Sequence, residues 1–275
     1  MTNYEKVKDL IDKADAIIIG AGSGLSISAG IKYDEENFKK DFPELVSKYK
    51  MTDMYTSSYY GFKTEEERFS YWAKHINYIY NNDALDAYKK LFNLVKDKNY
   101  FVITTNPDGQ FIKSGFDNEK VFEVQGSLSK MQCAVGCHNT LYDILPLVKE
   151  MIKYKEEPIP KDLIPKCPIC EGRMEVNYRK DAFFVEDDNW INHQKEYQRF
   201  VNENVDKNIL LIELGVGYSS PGIIRYPFEQ LTYNLRHTNL VRVNEKYADV
   251  PFEIKLKTVS IKEDISKFID NLSNM

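Results

Sequence analysis

Four cysteines carry the clearest chemical signal in the chain. They fall as Cys133-x3-Cys137 and Cys167-x2-Cys170, two close pairs separated by a loop, with Gly136 and Pro168 shaping the turns. That spacing suits a tetrahedral zinc site. Four thiolates leave no open position for water, so such a metal is structural. His138, beside Cys137, could substitute as a ligand, although four cysteines already complete the shell.

Bare backbone offers a second chemistry. In "GAGSGLSISAGI", Gly20, Gly22 and Gly24 allow a ligand to approach the main chain closely, and a helix starting there presents free N–H groups to a pyrophosphate. A tight strand-to-helix turn without a ligand fits the same residues. No Gly-Lys-Ser/Thr follows, which excludes a Walker A loop. Leu25 stands where the usual dehydrogenase fingerprint wants a third glycine, and no second strand ends in an acid about 20 residues on. A nucleotide site is compatible with this stretch; ordinary hydride transfer is disfavoured.

Four other stretches end in polar groups. "TTNPDGQF" presents Asn106 and Asp108 after a strand, where ligands bind in open α/β sheets. A self-satisfied turn, with both side chains bonded to their own backbone, accounts for them equally. "VFEVQGS" ends another strand at Gln125. "LGVGYSSPG" brings Gly215, Val216 and Gly217 to a strand end, and "VRVN" ends at Asn244, within reach of a ribose or base. His75, His193 and His237 are isolated and read as surface or packing residues.

The elements that must position these groups are short, β-branched runs at 15–20, 100–105, 121–124, 208–214, 240–243 and 254–260. They mostly lack alternation, as strands buried on both faces do. Helical segments lie between several of them, including "DALDAYKKLFNLVKD", where Leu85, Tyr88, Leu91, Phe92 and Val95 share a face, and the final "KEDISKFIDNL". The expectation is an α/β fold with a Rossmann-like, doubly wound parallel sheet, formed by residues 1–125 and 186–275. Two insertions interrupt it. Residues 32–82 are aromatic-rich and helical: Thr64 and Glu67 form a capping box, and Phe69, Trp72, Ala73, Ile76, Ile79 and Tyr80 recur at helical spacing. Residues 126–185 hold all four cysteines and form a small zinc-binding module. Hydrophobic residues make up 43% of the 275, enough for a sizeable core, and the net charge of −5 argues against a nucleic-acid binder. No run is long and apolar enough to span a bilayer, and the charged amphipathic start is no signal peptide, so a reducing cytoplasm is expected.

Taken in order, these motifs resemble those of the sirtuin family. "GSGLSISAGI" is similar to the family's Gly-Ala-Gly-Ile-Ser-x-x-Ser-Gly-Ile, "TNPDG" to its Gln-Asn-Ile-Asp-Gly, and "EVQGS" to its Glu-Leu-His-Gly-Ser; "ELGVGYSS" and "VRVN" follow in place. The resemblance implies NAD as co-substrate beside a structural zinc. It assigns Gly22, Gly24 and Ser26 to the phosphates, and Asn106 and Asp108 to the nicotinamide ribose and carboxamide. Ala21, Gly215, Val216 and Gly217 would approach the cofactor, and Asn244 the adenosine ribose. Two departures stand out. "KYDE" replaces the expected Pro-x-Phe-Arg, leaving Tyr33 or Phe38 to shield the pocket. Gln125 occupies the place of the catalytic histidine, and a carboxamide can orient a hydroxyl but cannot take its proton. This pattern resembles the macrodomain-linked microbial sirtuins. That class implies protein mono-ADP-ribosylation with Asn106, Asp108 and Gln125 as catalytic residues, a lipoyl-carrier protein as acceptor and a macrodomain hydrolase as partner. An NAD-dependent deacylase and a non-catalytic NAD-sensing module are the alternatives.

Overall fold

The computed structural model describes residues 2–31, 38–40, 42–154 and 158–275. The chain divides into two compact units, one of residues 1–30, 84–125 and 189–275, the other of 31–83 and 126–188.

The first unit is built on a six-stranded sheet in the order β3-β2-β1-β7-β8-β9, parallel throughout. The strands are β1 (Ala16–Ala21), β2 (Tyr100–Thr104), β3 (Val121–Glu123), β7 (Ile209–Leu214), β8 (Thr238–Val243) and β9 (Thr258–Ile261). Every residue of β1, β2 and β7 is buried. Alternate side chains enter opposite cores, which is why these runs are apolar without a break. Ile17, Ile19 and Ala21 meet Val7, Leu91, Val95, Phe268 and Ile269 from the helices Asn3–Lys13, Asp86–Val95 and Ile265–Ser273. Ile18 faces Ile224 and Phe228 and the partly buried Tyr197 and Phe200 of the helix Asp188–Glu203. Each fully buried aliphatic side chain contributes about 1.5–3 kcal/mol. The sheet is therefore covered on both faces, the doubly wound arrangement expected from the sequence.

One run departs from expectation. Residues 254–260 are not a single strand: Phe252–Lys257 forms a 3-10 helix, and pairing with β8 begins only at Thr258. Pro251 starts the turn, and Phe252 and Leu256 face solvent while Ile254 is buried. Lys257 donates to the carbonyls of Thr232 and Leu235, which ends the turn on the neighbouring helix Arg225–Asn234.

The second unit holds the helix Glu65–Tyr80 and a three-stranded antiparallel sheet in the order β5-β4-β6, with β4 at Gly126–Cys133, β5 at Tyr142–Asp143 and β6 at Met174–Tyr178. The Thr64 hydroxyl caps the helix by accepting from Glu67 N at 3.2 Å. Burial extends well beyond the expected stripe to Arg68, Tyr71 and His75. Arg68 joins helix to sheet, donating to the Met174 carbonyl at 2.6 Å and pairing with Glu175 and Glu65. His75 stacks on Trp72 at 5.3 Å, and its Nδ1 meets the Tyr71 hydroxyl at 2.8 Å. Its Nε2 is buried and has no partner among the described residues, and burial pushes its pKa down to about 3. Among the described residues, no helix is long and apolar enough to cross a membrane.

Candidate dinucleotide site and cysteine cage

Sheet register lines up the candidate residues. Ala21 lies beside Thr104 and Leu214, Thr104 beside Glu123, and Leu214 beside Val243. Gly22, Asn106, Gln125, Gly215 and Asn244 follow these residues by one or two positions, so they share the C-terminal edge of the sheet. Between β1 and β7 the connections diverge to opposite sides, the switch point at which open α/β sheets bind ligands.

Bare backbone floors that crevice. Gly24 N donates to Gly215 O at 3.1 Å, and Gly22 N to Leu214 O at 3.0 Å. A Cβ on Gly22 would lie 2.7 Å from Gly215 O, one on Gly24 2.7 Å from Gly215 Cα, and one on Gly215 2.5 Å from Leu25 N. Gly215 also has φ +66°, in the left-handed region glycine favours. A Cβ on Gly217 would meet nothing within 4 Å, so that position is open to a ligand. Asn244 fixes the same loop. Its Nδ2 donates to Val216 O at 3.1 Å, and its Oδ1 accepts from the amides of Lys246 and Tyr247.

A buried polar cluster stands beside β1 and β2. The Ser26 hydroxyl donates to Asp108 Oδ2 at 2.6 Å, accepts from Asn106 Nδ2 at 3.0 Å, and meets the Tyr88 hydroxyl at 2.8 Å. Asp108 Oδ1 accepts from Gln110 N at 3.0 Å, half of the self-satisfied turn the sequence also allowed; the Asn106 side chain instead reaches Gly22 and Ser26. Burial raises the Asp108 pKa, and the Ser26 bond opposes the rise. Burial, reinforced by the Asp108 charge, holds the Tyr88 hydroxyl well above its ordinary value. Asn106 Nδ2 also donates to Gly22 O at 2.9 Å. Flipping that amide would set two carbonyl oxygens against each other, so the orientation is fixed. Among the described residues no donor reaches Asn106 Oδ1. Gln125 Oε1, past the end of the adjoining β3, is buried and has no partner among the described residues. Two amide oxygens on neighbouring strands thus retain accepting capacity. Tyr33 lies outside the described residues; Phe38 is buried and packs on Phe42 at 5.2 Å.

A second cluster lies under the crevice at β7 and β8. Glu213 pairs with Arg242 at 2.7 Å and Arg225 at 3.4 Å, and Glu229 pairs with Arg242 at 2.8 Å. Arg225 also donates to the carbonyls of Tyr247 and Asp249, and Arg242 to that of Asp249. Burial raises the Glu213 pKa, and the Arg242 charge opposes it. No local motif in the sequence marks these residues or the Tyr88 hydroxyl. The available signal was a charged residue inside each of two otherwise apolar runs, "NILLIEL" and "LVRV".

In the second unit the four cysteines converge. Cys133 Sγ lies 3.7 Å from Cys170 Sγ, and Cys137 Sγ 3.6 Å from Cys167 Sγ. Zinc–sulfur bonds of about 2.3 Å at tetrahedral angles separate sulfurs by about 3.8 Å, so this donor set fits a structural zinc. His138 Nδ1 also faces the cage, 3.1 Å from Cys137 Sγ and 3.8 Å from Cys167 Sγ.

A parallel sheet with bare backbone at its switch point and accepting amide oxygens alongside defines a dinucleotide-dependent α/β protein. The Sir2 family profile matches residues 22–216, and the chain belongs to that family of NAD-dependent enzymes. It is 33% identical over 268 residues to a protein ADP-ribosyltransferase of Staphylococcus aureus, covering 96% of this chain and 85% of the relative. A probable bifunctional ADP-ribose hydrolase/ADP-ribosyltransferase of Fusarium oxysporum f. sp. cubense is 29% identical, aligned over 95% of this chain and 46% of its own length. An NAD-dependent protein deacetylase of Clostridium perfringens is 29% identical, with 96% and 98% covered. A solved Sir2 homologue–NAD complex shares the fold, with a TM-score of 0.59 at 16% identity over 98% of this chain and 92% of that one.

Proposed function

We propose that the protein is an NAD-dependent protein mono-ADP-ribosyltransferase. The carrying observation is Gln125: at the strand end where a proton-taking imidazole would stand, the chain has a carboxamide whose oxygen is buried and has no partner among the described residues. The likeness to the Staphylococcus aureus transferase supports the same reading. In this reaction the bond between nicotinamide and the ribose anomeric carbon breaks. Nicotinamide leaves with the electron pair, and the acceptor's nucleophile attacks the same carbon and gives its proton to solvent. No ribose hydroxyl needs to be deprotonated. Asn106 Oδ1 and Gln125 Oε1 would accept from ribose hydroxyls and place negative dipole ends near the developing positive charge. Asp108 would act first through Ser26, which holds the Asn106 amide, and would accept from the nicotinamide amide by exchanging one of its present bonds. Gly22, Gly24 and Ser26 would stand along the phosphates, with Ala21, Gly215, Val216 and Gly217 close to the dinucleotide and Asn244 at the adenosine end. Residues 126–185 serve as the zinc module.

A lipoyl-carrier protein is the proposed acceptor and a macrodomain hydrolase the proposed partner. The Fusarium relative's bifunctional description supports the second. Incubation with labelled NAD and a lipoylated carrier protein should release nicotinamide and add one ADP-ribose to the carrier by intact mass. The Clostridium relative favours a deacylase as the second reading. Brisk deacetylation of an acetyl-lysine peptide with no mass gain on any protein would decide for it.

A further inference from the structure

Five donors, not four, surround the cysteine cage. The Cys137 sulfur interacts with those of Cys133, Cys167 and Cys170, which closes one set of four. Cys133, Cys137, Cys167 and His138 close another, with all their donor atoms within 4.8 Å of one another. The two sets share three thiols and differ only in Cys170 or His138. The shared Cys133 and Cys167 are buried, whereas Cys170 is exposed.

His138 is also held in place as metal-ligating histidines are. Its Nε2 lies 2.9 Å from the Tyr142 hydroxyl, and Tyr142 sits on β5 opposite Met131 of β4, the strand that ends at Cys133. A hydroxyl donates or accepts. When four thiolates hold a metal, Tyr142 can donate to Nε2, leaving an Nδ1–H to support the Cys137 sulfur. When His138 itself is a ligand, Nε2–H donates to Tyr142 and the Nδ1 lone pair faces the metal, the usual outer-sphere arrangement. Either tautomer is accommodated without moving the ring.

We propose that His138 is a reserve ligand: with Cys170 removed, it completes a three-thiolate, one-imidazole zinc site with Cys133, Cys137 and Cys167. The inference rests on the structural-zinc reading of the cage. Metal content per chain, measured after dialysis of the reduced full-length protein against a weak chelator, tests both. Wild type, His138→Ala and Cys170→Ala should each retain about one zinc, whereas Cys167→Ala and the double variant Cys170→Ala/His138→Ala should lose most of it. With cobalt in place of zinc, the thiolate-to-metal absorption of Cys170→Ala should fall by about a quarter, three sulfurs remaining of four. Tyr142→Phe should weaken retention in the Cys170→Ala background and leave wild type unchanged. If Cys170→Ala and the size-matched Cys170→Ser lose metal and unfold as Cys167→Ala does, no reserve ligand exists. If the double variant keeps as much zinc as Cys170→Ala alone, His138 is not that ligand. Zinc-free wild type would remove the structural-zinc reading itself.

Discussion

Two buried polar clusters stand under the same edge of the sheet, and they are finished differently. At β1 and β2, Ser26, Tyr88, Asn106 and Asp108 use mostly neutral hydrogen bonds and leave Asn106 Oδ1 without a donor among the described residues. At β7 and β8, two arginines and two glutamates close on each other and on the carbonyls of the loop after β8. The first spends its bonds orienting one acceptor. The second spends them on loop position: its carboxylate oxygens face arginines, and what it leaves unmet among the described residues is a donor, the buried Arg242 Nε. What separates the two is therefore the kind of valence left open, an acceptor at the strand end in the first and a buried guanidinium donor in the second, not how many charges each contains.

Glu213→Ala should break this comparison most visibly. It removes the carboxylate shared by two buried guanidinium groups, and removing one partner of a buried pair costs about 3–5 kcal/mol. Urea unfolding should show that loss; a change under about 1 kcal/mol would mean that water already reaches the arginines. Asn106→Ala should do the reverse. Nicotinamide release should fall by about 10²-fold or more, while stability drops only by the about 1–3 kcal/mol expected for lost hydrogen bonds. Equal losses of activity in the two variants would erase the distinction between them. Acid gives the smaller, sharper test. The carboxyls of Asp108 and Glu213 have raised pKa values, so acidification does not cost stability through them. His75 has a depressed one. Its contribution is complete above about 6.5 and is lost as pH falls toward about 3, at up to about 1.4 kcal/mol per pH unit. His75→Phe should therefore lose about 2 kcal/mol less than wild type between pH 7.5 and pH 5; parallel losses would place the acid sensitivity elsewhere.

The parallel sheet was legible because strands covered on both faces must be apolar at every position, as β1 and β7 are. The cysteine cage was legible because ligand spacing is local. The strands around it were not: "GSLSKMQC" is half polar because β4 is only part-buried, and no β-branched run marks it. In the sequence Tyr88 belongs to an apolar stripe, which its ring obeys, since it packs on Phe111. Its hydroxyl matters only because folding brings Ser26, 62 positions away, to 2.8 Å. The charged cluster was hidden for the same reason. Glu213 and Arg242 are 29 positions apart, and only the β7–β8 register makes them neighbours.

The contact of Gly22 and Gly24 with Gly215 has a consequence for how this protein can diversify. Main chain rests on main chain there, so the interval between the two loops acts as a fixed gauge with no side chain to trim or enlarge. Most enzymes retune a pocket by exchanging residues along its wall. Here Val216 buries its side chain in the core, and that freedom begins at Gly217, where a Cβ would meet nothing within 4 Å. Lineages that change what they bind would have to do so from the rim inward, with the floor inherited unaltered.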